Sequence, residues 1–179
     1  MDKILLIKLR RYQDDRGFFS ETYNRVDLIK RGLDIEFVQD NHSVSYKVGT
    51  LRGLHFQTPP HAQAKLIRCG RGAFFDVAVD IRRGSPNFGK WEGYNLTAKN
   101  GHQLYVPIGF AHGLITLEPN TEIIYKCTDY YQPKAEGAIH WGSCGINWPV
   151  QSPLILSDKD QVAPSFSEFE SPFIFGENS

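Results

Sequence analysis

Neither sign of charge is in excess in this chain. Twenty lysines and arginines balance twenty aspartates and glutamates, so the formal net charge is zero with histidines neutral. No basic excess or cationic tail marks it for nucleic acid or for an anionic membrane surface. Any anion it binds must therefore be met by a local cluster of cations. Cysteine is scarce as well. Cys69, Cys127 and Cys144 are odd in number and lack metal-ligand spacing, which reads as reduced thiols in a cytosolic setting. Long hydrophobic runs are missing: nothing approaches the roughly 20 apolar residues of a spanning helix. The apolar run Ile4-Leu5-Leu6-Ile7 is too short for a signal peptide and ends in Lys8-Leu9-Arg10-Arg11. These readings predict a cytoplasmic protein with neither a nucleic-acid nor a membrane partner. Long helical periodicity and internal repeats are also lacking.

Short extended segments are what the chain does have. Ile4 to Leu9, Arg16 to Tyr23, Phe37 to Asn41, Ser43 to Lys47, Trp91 to Thr97 and Gln103 to Pro107 read as strands. Ala73 to Asp80 alternates with a period of two, placing Phe75, Val77 and Val79 on one face and Phe74, Asp76, Ala78 and Asp80 on the other. His112 to Leu117 and Glu122 to Asp129 read as a hairpin around Pro119-Asn120. The best short helix is Val26 to Arg31, closed by Gly32. Glycine and proline fall between the strands at regular intervals, which predicts an all-β sandwich or barrel with short peripheral helices. The length of 179 residues fits one domain, 1–179, with 165–179 as a C-terminal tail.

The chemistry concentrates between Leu51 and Lys65. His55 offers a general base, and Arg52 and Lys65 offer cations. If Leu51 to Phe56 is a strand, Arg52 and Leu54 point one way and Leu51, Gly53 and His55 the other. Pro59-Pro60 breaks the strand, and Lys65 to Cys69 begins the next. Lys65 returns beside His55 if the two strands are neighbours. An imidazole near a fixed cation suits proton abstraction next to a carbonyl, with the cation holding the enolate oxygen.

Two spacings narrow the architecture. Gly101-x5-Pro107-x-Gly109-x2-His112 resembles the second motif of the cupins, which are double-stranded β-helices of jelly-roll type, and Gly49-x5-His55 resembles the start of the first. Metal-binding cupins continue with His-x-His and a carboxylate. Here the second histidine position holds Gln57, and the carboxylate position falls at His61 or Ala62. Transition-metal sites want three or four imidazole, carboxylate or thiolate ligands, whereas only His55 and His112 survive, with His61 displaced. The expectation is a cupin with no metal and no other cofactor, working by acid–base chemistry.

Eight blocks then fall in order: Arg16-Gly17-Phe18-Phe19, Gln39-Asp40-Asn41, Leu51 to His55, the Lys65 region, Phe75 to Asp80, Pro107-x-Gly109-Phe110-Ala111-His112-Gly113, Tyr125 to Tyr131 and Ser157-Asp158-Lys159-Asp160. Together, from about Lys8 to Pro164, they resemble the dTDP-4-dehydrorhamnose 3,5-epimerase family. The resemblance implies a metal-free cupin homodimer that inverts C3 and C5 of dTDP-4-dehydro-6-deoxy-D-glucose, giving dTDP-4-dehydro-L-rhamnose. It implies that His55 is the base and Asp160 its orienting carboxylate. Lys65 would stabilise the enolate and Tyr125 would return the proton. Tyr131 would stack on the thymine. Arg16, Glu21, Gln39, Asp40, Asn41, Arg52, His112, Glu136 and Lys159 would line the nucleotide-sugar site. Arg16 and Glu21 would act across a dimer that exchanges its N-terminal strand.

Read without that resemblance, Asp160 is a solvated loop acid, Tyr125 a buried strand aromatic and Tyr131 a surface aromatic. Asp76 is then the rival partner for His55. Other readings of the whole are an epimerase acting at C3 or C5 only on a related nucleotide-linked 4-keto-6-deoxysugar, a binding module that kept the pocket, and a metal-dependent oxygenase with a broken ligand set.

Overall fold

The computed structural model describes residues 3–150 and 154–176; the last three residues of the expected tail lie outside the described residues. The strands are β1 (Leu5–Lys8), β2 (Tyr12–Asp14), β3 (Gly17–Phe19), β4 (Gln39–Ser45), β5 (Leu51–Gln57) and β6 (Lys65–Arg71). They continue with β7 (Ala73–Asp80), β8 (Trp91–Thr97), β9 (His102–Val106), β10 (Phe110–Thr116), β11 (Thr121–Cys127) and β12 (Glu136–Ala138). Two short helices, α1 (Arg25–Lys30) and α2 (Asp158–Gln161), lie at the periphery. Asn24 starts α1 by accepting from the Val26 and Asp27 amides. Among the described residues, no helix is long and apolar enough to cross a membrane.

Two five-stranded antiparallel sheets form the body, in the orders β1-β9-β6-β11-β4 and β12-β5-β10-β7-β8. Their facing sides share a core: Ile67, Leu104 and Ile123 come from the first sheet, and Phe74, Ala78, Leu96 and Leu114 from the second. This is the cupin jelly roll that the spacings led us to expect. The alternation of β7 holds, with Phe74 and Ala78 between the sheets and Val77 and Val79 on the outer side. That outer side is not left to solvent. Trp148 and Phe173 bury themselves against it, and Phe56 meets Phe169 and Phe173 edge-on at 5.4 and 6.0 Å. Residues 165–176 therefore pack as a third layer; each buried phenylalanine contributes about 1.5–3 kcal/mol.

Three sequence expectations need correction. β10 and β11 do not form a hairpin: β10 pairs with β5 and β7, while β11 pairs with β4 and β6. The turn at Pro119-Asn120 carries the chain from one sheet to the other. β5 and β6 are likewise in opposite sheets, so Lys65 does not lie alongside His55 in a ladder. The predicted extended run from Arg16 to Tyr23 is a strand only over Gly17–Phe19. With β2 it forms a two-stranded sheet of its own, while β1 pairs with β9 of the same chain.

Candidate active site

Because β5 and β6 lie in opposite sheets, the residues near Leu51 and Lys65 meet across the barrel interior. One cavity of about 410 Å³ opens there, within the range of small-molecule sites. Arg52, His55 and His112 line it from the second sheet, and Lys65 and Tyr125 from the first. Ser157 and Asp160, at the start of α2, close one side.

Strict alternation would put Arg52 and His55 on opposite faces of β5. The structure instead places both at the cavity. Opposite β10, His55 pairs with His112 and Arg52 with Leu114, so three steps on β5 match two on β10. This β-bulge shifts the phase of the strand and re-aims a side chain. Its residues must be small where β10 comes close: a Cβ on Gly53 would lie 2.6 Å from the Gly113 Cα and 2.7 Å from the His112 carbonyl oxygen.

Asp160, not Asp76, contacts His55. The His55 Nε2 lies 2.5 Å from Asp160 Oδ1, and Ser157 Oγ donates to Asp160 Oδ2 at 2.8 Å while accepting from the Asp160 amide. Burial pushes the Asp160 carboxyl up, but hydrogen bonds and charge from His55, with help from Ser157, bring it below its ordinary value. The carboxylate is thus ionised at neutral pH and accepts from His55 Nε2; in the neutral form of the imidazole that bond leaves the lone pair on Nδ1.

Asp76 serves the other histidine. His112 Nε2 sits 2.6 Å from Asp76 Oδ1, and Asp76 Oδ2 is buried without a hydrogen-bond partner. Lys65 is pulled below its ordinary ammonium value by burial, against the opposing effects of Cys127 and Asp76. Burial, reinforced by Cys127, raises the Tyr125 hydroxyl, while Arg52 acts the other way. Tyr125 therefore carries its proton at neutral pH.

The remaining predicted residues divide by place. Tyr131, Glu136 and Lys159 form a polar chain: Tyr131 Oη donates to Glu136 Oε2 at 3.2 Å, and Lys159 Nζ donates to the same oxygen at 2.7 Å. Lys159 in turn holds the Glu136 carboxyl below its usual range. Asn41 donates to the Cys127 sulfur at 3.6 Å, and Gln39 donates to Asn41 at 3.1 Å. Asp40 pairs with Lys126 at 2.9 Å and faces a second, smaller cavity of about 210 Å³. Arg16 is not brought to the main cavity within one chain; it pairs with Asp14 at 2.5 Å, with its side chain 90% exposed. Glu21 is exposed outside the cavity too. Ser157 and the Asp76–His112 pairing were missed in the sequence, although the shared face of Asp76 with Phe74 and Ala78 already pointed inward.

Gln57, at the position where metal-binding cupins carry a second histidine, is engaged in hydrogen bonds. Gln57 donates to the His61 and Tyr130 carbonyls at 2.6 and 3.2 Å, and His61 turns to Asp129 at 3.1 Å. Among the described residues, no group of three or more His, Cys, Asp or Glu is placed to hold a metal ion.

Comparison with known proteins adds independent findings. Residues 1–168 match the family model for dTDP-4-dehydrorhamnose 3,5-epimerase. The enzyme of that name from Salmonella typhimurium is 51% identical over 90% of this chain and 89% of its own. A crystal structure of the Bacillus anthracis dTDP-4-dehydrorhamnose 3,5-epimerase with TDP and PPi bound superposes with a TM-score of 0.88 at 49% identity, covering 90% of this chain and 93% of that one. The Legionella pneumophila dTDP-6-deoxy-D-glucose-3,5-epimerase in complex with dTDP-4-keto-L-rhamnose gives 0.90 at 42%, covering 95% and 91%.

Proposed function

Since this chain belongs to the dTDP-4-dehydrorhamnose 3,5-epimerase family, we propose that its cavity inverts C3 and C5 of dTDP-4-dehydro-6-deoxy-D-glucose. The product is dTDP-4-dehydro-L-rhamnose. One observation carries the reading: His55 stands on one sheet, with Lys65 and Tyr125 on the facing one, all lining a single cavity.

The C4 ketone acidifies the hydrogens on C3 and C5, so one base and one enolate stabiliser serve both carbons. His55 Nδ1 takes the proton, and Asp160 stabilises the imidazolium that results. Lys65 offers its ammonium to the oxygen that becomes the enolate, in a site where burial strengthens the interaction. Tyr125 returns a proton from the opposite wall. The nucleotide extends toward Tyr131, Glu136 and Lys159, and Arg52 meets diphosphate charge despite the zero net charge of the chain.

A homodimer belongs to this reading. The β2–β3 hairpin has its own small sheet, and Tyr12, Phe18 and Phe19 on it are 52%, 55% and 68% exposed. Such a ribbon is marginal alone, which supports docking on a second copy and delivery of Arg16 and Glu21 to that copy's pocket. A cytoplasmic location fits the unpaired Cys69, Cys127 and Cys144 and the nucleotide-linked substrate.

The test is incubation with dTDP-4-dehydro-6-deoxy-D-glucose in deuterated water. Deuterium at both C3 and C5 of an inverted product is expected. Label at one carbon alone would replace this reading with single epimerisation.

A further inference from the structure

Three glutamine amides converge on one stretch of backbone, residues 129–132, which carries Tyr131. Gln63 Nε2 donates to the Asp129 carbonyl at 2.7 Å. Gln57 Nε2 donates to the Tyr130 carbonyl at 3.2 Å, and Gln57 Oε1 accepts from the Gln132 amide at 2.8 Å. Gln39 Oε1 accepts from the Tyr131 amide at 2.8 Å. Four successive residues are each held by a side-chain amide, reaching in from β4, from the end of β5 and from just before β6.

Surface connections ordinarily leave such backbone groups to water and stay mobile. A segment that must be ordered on binding loses affinity to that ordering, whereas one already ordered by folding does not. Gln57 is the centre of the arrangement because it alone grips two of the four residues. It is 4% exposed, so water does not compete for its amide.

We propose that Gln57 is a positioning residue for nucleotide recognition. With Gln39 and Gln63 it fixes residues 129–132, so that the Tyr131 ring stands ready for the base before the nucleotide arrives. This rests on the reading of Tyr131 as the residue that stacks on the base. Gln57 itself is turned into the protein and touches no nucleotide. The amide found where metal-binding cupins place a ligand thus ties the strand bearing His55 to the segment bearing Tyr131.

Gln57→Met keeps length and apolar volume while removing these hydrogen bonds. Binding of dTDP by calorimetry, together with kcat and KM, is measured for Gln57→Met, Tyr131→Ala and the double variant, with thermal melting as the check on folding. Gln57→Met is expected to weaken dTDP roughly tenfold while kcat changes less than about threefold. Added to Tyr131→Ala, it should cost less than about a further twofold, because both changes act through one ring. Gln63→Met removes a single bond and should act in the same direction by less; it takes the place of Gln57→Met throughout if that variant fails to fold. Unchanged dTDP affinity in the glutamine variant, or losses that multiply in the double variant, overturn the proposal. Unchanged affinity in Tyr131→Ala overturns the stacking reading instead, and the proposal with it.

Discussion

His55 and Tyr125 are on strands that never pair, yet their side chains line the same cavity from facing sheets. Inversion at carbon needs a proton to leave one face of the ring and arrive at the other. A bound sugar between two walls meets that requirement without turning over. The jelly roll supplies the two walls because its chain crosses between sheets at nearly every turn.

Loss of the base should therefore stop both exchange and inversion. His55→Ala is expected to lower kcat by about 10²–10⁴-fold, with solvent deuterium absent from C3 and C5. Wild-type wash-in by that variant would remove His55 from its role.

Tyr125→Phe should separate the two events. The ring and its packing stay, and only the hydroxyl is lost. In that variant His55 should still form the enolate and return a solvent-derived proton to the face it came from. Deuterium should enter the recovered substrate at C3 or C5 without matching inversion, read by NMR. Epimerisation at the wild-type rate would assign the proton return to another group.

Chelation is expected to leave turnover unchanged. Gln57 has its amide engaged by the Tyr130, His61 and Gln132 backbone, and His61 faces Asp129 rather than the cavity. Full activity after exhaustive dialysis against a chelator, with metal analysis of the same sample, is the expected outcome. Activity that disappears and returns with one transition metal would contradict it.

Arg16→Ala should raise KM more than it lowers kcat, as expected for a residue that binds ground state and transition state alike. Sedimentation should show a dimer at assay concentrations. A fully active monomer would remove the partner's contribution from the site.

What could be read in the chain follows physical lines. The β7 alternation was legible because both its faces are buried against different neighbours, and each selects its own apolar set. Strand pairing was not legible: the turn at Pro119-Asn120 has hairpin chemistry, but tertiary packing sends β11 to the other sheet. The joint presentation of Arg52 and His55 depends on a bulge, and a period of two cannot register the extra residue. The choice of Asp160 over Asp76 needed the fold as well. Asp160 arrives on a four-residue helix from a stretch with no period, while Asp76 is taken by His112 across the β7–β10 ladder.

The Asp160 contact also makes a prediction for stability against pH. Its carboxyl is held below the ordinary value once the contacts with His55 and Ser157 outweigh burial. A depressed carboxylate stabilises the fold fully above its unfolded value, about 3.9, and that contribution disappears as pH falls through the lower folded value. Asp160→Asn keeps the volume but removes the charge, so it should melt below the wild type at pH 7. The difference in Tm should narrow as pH drops below about 4. The same variant should lose kcat while KM changes little, because the amide no longer fixes Nε2 as the donor or stabilises the imidazolium. A Tm difference that is constant from pH 7 to pH 3 would show that Asp160 supports the fold by packing alone. Unchanged kcat would show that His55 is oriented by something else.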